Sequence, residues 1–121
     1  MFVLDPEQVR NKVFFYQEHK KVEDKDTLVP YVLVRENYGW HRYDVNELQL
    51  DRYNNKLIHM KSKKSEKEYF WYLKDVIYVQ LNGAVPEGYA VRQLDADVYT
   101  PHNFVLRKLN TRFGHEETAV A

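Results

Sequence analysis

The residues best equipped for chemistry are five dispersed histidines: His19, His41, His59, His102 and His115. None stands at the short ligand spacing of a zinc motif, and the chain has no cysteine. Thiolate metal sites and disulfides are therefore excluded, and no metal or cofactor is expected. His41 and Asp44, in "HRYD", form the best local acid–base pair. On a helix that spacing would bring them together, whereas on a strand it points them to opposite faces. The segment reads as strand or turn, so a structural role is favoured. Asp95 and Asp97 share a strand face and could form a carboxylate patch with Glu87. Glycoside hydrolysis needs two acids held across a cleft at a defined separation, and sequence spacing does not supply that. No serine sits in a nucleophile elbow. "NGAVPEG" lacks the lysine and helix start of a phosphate loop. No catalytic residue is assigned.

The other chemistry on offer is aromatic and basic. Lys56, Lys61, Lys63, Lys64 and Lys67 precede the quartet Tyr69, Phe70, Trp71 and Tyr72. Lysines beside stacking rings suit a nucleic-acid surface, but they also describe a polar loop entering a core strand. The chain carries 18 basic and 18 acidic residues, and this balance weighs against a dedicated phosphate binder. On the two-residue period of a strand, Tyr69 and Trp71 face one way, Phe70 and Tyr72 the other. One ring face is expected to serve the core. The other lies under a helix or forms a recognition surface. "NYGWHRY" adds Tyr38, Trp40 and Tyr43 to this candidate protein-binding set.

These groups are positioned by short elements within 121 residues, read as one α+β domain over 1–121 with a frayed tail from about 115. Asp5 as cap, Pro6 at the first helical position and the spacing of Val9, Val13 and Phe14 predict a helix over about 6–20. The competing reading is a strand at "VFFYQ". "KKVEDKD" reads as a charged connection. "YVLVRE" and "WHRYDV" read as strands around a turn at "NYG", and "LQLDRYNNKLIHMK" as a hairpin turning at Asn54 and Asn55. "KEYFWYL" and "VIYVQL" read as strand segments bent at Asp75, with "YAVRQLDADVY" as one further strand. Thr100, Pro101 and the spacing of Val105, Leu109 and Phe113 predict a second helix. The expected fold is a mostly antiparallel twisted sheet with one or two helices, or a small, partly open β-barrel.

No stretch has the length of a membrane span, and no basic, apolar and small-residue leader opens the chain, so a cytoplasmic location without a membrane partner is expected. The functional expectation is a protein-binding or regulatory module of the adaptor, inhibitor or immunity type, its partner another protein or a second copy of itself. The alternatives are nucleic-acid binding through the lysines and aromatic strand, and a small-molecule binder or enzyme of unidentified class.

Overall fold

The computed structural model describes residues 4–61, 67–110 and 115–116. It is an α+β fold of antiparallel sheets with an N-terminal helix. Helix α1, Pro6–Lys12, starts where the sequence predicts: the Asp5 carboxylate accepts from the Glu7 N–H at 3.0 Å, and Pro6 occupies the first turn. Leu4 and Val9 are both buried, which fixes the chain's entry.

The helix ends far earlier than expected. Val13 is extended, and β1 runs over Val13–Val22. Its periodicity fits either structure, but all ten residues pair antiparallel with β2, Lys25–Glu36. The β-branched and aromatic run "VFFY" suits that ladder better than a helix. The charged connection is thus the end of a continuous hairpin, turning at Glu23 and Asp24, both with positive φ as a two-residue type I′ loop requires. Strand β3, Gly39–Asp44, completes the first sheet along the other side of β2. Pro30, which has no N–H to give, sits in β2 just beyond the point where β3 stops.

The second sheet contains β4, Gln49–Leu50, β5, Lys56–Lys61, and β6, Glu68–Tyr72. Its first turn is the expected one, with Asn54 left-handed at φ 64°. The Asp51 carboxylate accepts from the backbone N–H groups of Tyr53 and Asn55 at 2.8 and 2.9 Å. Burial opposes the charge, but these bonds, with the Asn55 side chain and the Tyr72 hydroxyl, outweigh it and hold Asp51 below the usual carboxylate range.

"VIYVQL" is helical. Helix α2 spans Leu73–Asn82, so the bend expected at Asp75 is a change from strand to helix. Leu73, Val76, Ile77 and Gln80 fall at helical spacing, and the first three are buried. α2 touches α1 and strands of all three sheets and so forms the centre of the core. Gln80 has a second task. Its side-chain oxygen accepts from the Phe15 N–H at 2.8 Å and its amide donates to the Phe15 carbonyl at 2.7 Å. The edge strand β1 thereby receives from a helix the bonds a neighbouring strand would supply.

The third sheet replaces the expected second helix. β7, Tyr89–Gln93, pairs with β8, Phe104–Asn110, and His115–Glu116 forms the short β9 against the end of β8. Thr100 and Pro101 start only a 3-10 turn, Pro101–Asn103. Beyond it Phe104 and Leu106 alternate inward against the core, a period of two that the helical reading overlooked. Phe113 lies outside the described residues. Asn103, buried, satisfies its whole side chain: it accepts from the Asp95 N–H and donates to the Asp95 and Val98 carbonyls at 2.7–2.9 Å. No ladder joins one sheet to another, so the partly open barrel is not formed among the described residues.

Candidate functional site

The alternation of the first sheet sorts its aromatic residues. On the inward face, Val13, Phe15, Val32 and Val34 enter the core. On the outward face the cross-strand rows read Trp40 beside Arg35, then Phe14, Leu33 and Arg42, then Tyr16, Tyr31 and Asp44. Phe14 and Trp40 expose 47% and 49% of their surface there. A strand pair with rings on both sides is the pattern expected for residues 69–72, but its fullest expression lies here.

A stack holds this face in one arrangement. Phe14 and Tyr16 have centroids 6.1 Å apart, and Tyr16 and Tyr31 5.6 Å. The Arg42 guanidinium lies 4.5 Å from the Tyr31 centroid and the Lys20 ammonium 4.9 Å. Tyr31 is buried beneath these side chains although it faces away from the core. The Glu18 carboxylate is 3.5 Å from Arg42 and 3.9 Å from Lys20. The Tyr31 side chain pushes the Lys20 pKa up, and Tyr16 does the same for Arg42, so both cations stay charged throughout the physiological range. Cation–π contacts of this kind are worth roughly 0.5–1 kcal/mol when exposed.

The residues expected in a docking surface divide among three environments. Tyr38 stands fully exposed at the β2–β3 turn, and Trp40 lies on the outward face. Tyr43 points the other way, packs partly against the core and donates its hydroxyl to Glu36 at 2.9 Å. In the second sheet, Trp71 is only 2% exposed and belongs to the core, with Tyr69 packed beside it at 5.9 Å. Lys12 donates to the Tyr69 hydroxyl at 3.2 Å. Phe70 and Tyr72 point outward, Phe70 against His59 at 5.3 Å. They form a second, smaller aromatic patch.

Of the candidate lysines, Lys61 shares the outward strand face with His59 and Phe70, one cross-strand row away. Lys56 donates to the Val45 carbonyl at 3.3 Å and pairs with Asp97 at 3.7 Å, a structural role. Lys61 is exposed opposite Glu68, and Lys67 is exposed. Lys63 and Lys64 lie outside the described residues. Among the described residues no group of three or more His, Asp or Glu side chains is placed to hold a metal ion. His41 and Asp44 lie on opposite faces, as their strand spacing requires. No described helix is long and apolar enough to cross a membrane.

Phe14, Tyr16, Tyr31 and Arg42 are the site residues that sequence reasoning passed over. Their signal was the alternation in "FFYQE" and "YVLVRE", legible once 13–22 is a strand. The chain matches no protein-family model, no curated protein and no solved structure.

Proposed function

We propose that the protein is a non-catalytic interaction module that docks a protein partner on the outward face of its first sheet. One observation carries this reading: Phe14 and Trp40 stand half exposed on a sheet face whose tyrosines are already locked by Lys20 and Arg42. Rigid rings lose little conformational freedom on binding, and Trp, Tyr and Arg are the residues that most often dominate interface energetics. The partner presents apolar side chains to Phe14, Leu33 and Trp40, and carboxylates or carbonyls to Arg35 and Arg42. An adaptor, an inhibitor or an immunity-type protein would use such a face, and so would a second copy of this chain. The neutral total charge and the structural pairing of Lys56 favour protein over nucleic acid.

A photo-reactive benzoylphenylalanine at Leu33, in the middle of the face, tests the reading in native lysate. The expected product is a discrete protein adduct, absent when the same group replaces Val105 on β8. Equal adducts from both positions, or an adduct with nucleic acid, would overturn it.

A further inference from the structure

A cleft of about 300 Å³ opens where β6 passes into α2, on elements apart from the docking face. Its walls include Tyr53, Tyr72 and Tyr89, with Leu4 and Val85 supplying apolar surface. Two charged side chains line it among the described residues, Lys74 and Asp75, and they are not equivalent. Lys74 holds its ammonium 5.3 Å from the Tyr72 ring centroid. Asp75 is partly buried in the first turn of α2 and has no ion-pair partner within contact distance among the described residues. Burial raises its pKa to about 6, and the charge of Lys74 opposes that rise without cancelling it. Its effect is also felt by Tyr72, whose pKa is raised by burial first, then by Asp51 and Asp75.

A carboxylate that loses water without gaining a counter-ion is an incomplete pair. Tyrosine ring faces carry negative potential and attract weakly hydrated cations, as the Lys74 ammonium over Tyr72 illustrates. Tyr53 and Tyr89 contribute two further rings to the lining. An anion would meet Asp75 unfavourably, and a neutral apolar guest would leave its charge stranded. We infer that this cleft is a binding site for an alkylammonium group, with Asp75 as its counter-ion and the tyrosine rings as its walls. The apolar stem of the amine lies against Leu4 and Val85.

The test is a titration of the whole protein followed by amide NMR, with n-butylammonium chloride as probe, butyrate as control and ionic strength held constant. Saturable shifts at residues 72–76 and 89–90 are expected with butylammonium and not with butyrate. Binding weakens about tenfold from pH 7.5 to pH 5.0, as Asp75 takes up its proton. Asp75→Asn abolishes the response, and Lys74→Gln keeps or strengthens it. An α-blocked lysine that binds more tightly than butylammonium would place the group on a partner's lysine, and one that binds no more tightly would place it on a free amine. No saturable shift with wild-type protein, an equal response to butyrate, or affinity indifferent to pH would overturn the proposal. Since the pH comparison uses the wild-type chain, it stands even if Asp75→Asn folds poorly.

Discussion

Two residues carry consequences out of proportion to their size, and both are polar. Asn103 closes the 94–99 loop through three hydrogen bonds, so Asn103→Ala strands the Asp95 N–H and carbonyl, while the Val98 carbonyl keeps the Gln93 side-chain amide. A loss of about 2–3 kcal/mol is expected in urea unfolding, because each stranded group loses its partner without regaining water. Asp75 works in the opposite direction. Its folded pKa of about 6 lies above the ordinary 3.8, so its contribution to stability is full below pH 3.8 and is lost as pH rises through 6. Asp75→Asn should therefore stabilise the protein by about 1–2 kcal/mol at pH 7.5, after discounting for its partial exposure, and by little at pH 4. Chemical denaturation at the two pH values checks this. Neither role could be read from sequence. In the sequence Asn103 lies in a segment with helical spacing, and Asp75 signals only a bend. Burial and partners are set by elements distant in the chain.

At the scale of elements, local signals located most boundaries and misjudged what followed them. Asp5–Pro6 starts a helix, Asn54 turns a hairpin, and Thr100–Pro101 starts a turn. The misreadings fell where apolar spacing fits two periods. Val9 and Val13 suit a helix, while Val13, Phe15 and Val34 suit a ladder, and pairing with β2 decided between them. "VIYVQL" went the other way because α2 had to fill the space among three sheets. The long β1–β2 hairpin extends beyond β3, and two strands alone are marginal in water. Its turn can be improved. Glu23 and Asp24 both adopt positive φ, and replacing them with Asn-Gly should raise stability by about 1 kcal/mol in thermal unfolding. The opposite result is expected at Gln80. Gln80→Leu leaves the Phe15 N–H and carbonyl unpaired and should speed hydrogen exchange at Phe15 without melting α2.

Viewed whole, the molecule buries its aliphatic residues around α2 and leaves many of its rings outside. The aromatic composition suggests an exposed surface, and Trp40 stands half exposed on the outward face. Tyr38, Trp40 and Tyr43 nevertheless diverge: one stands at a turn and two point to opposite faces of β3. Trp71 sits in the core and Phe70 outside it, as a strand's alternation demands. The face proposed for docking draws on three strands and joins residues as distant as Phe14 and Arg42. Its assembly became visible only with the register. The central claim is that this face, rather than the lysines, engages a protein. Its most direct measurement is pull-down from native lysate with intact-complex mass analysis, comparing wild type with Phe14→Ser/Trp40→Ser and with Lys61→Ser/Lys67→Ser. The account predicts a complex of defined mass that survives the lysine changes and is lost with the aromatic ones, while both variants keep wild-type circular dichroism. A folded aromatic variant that retained the complex, or a lysine variant that lost it, would contradict the account.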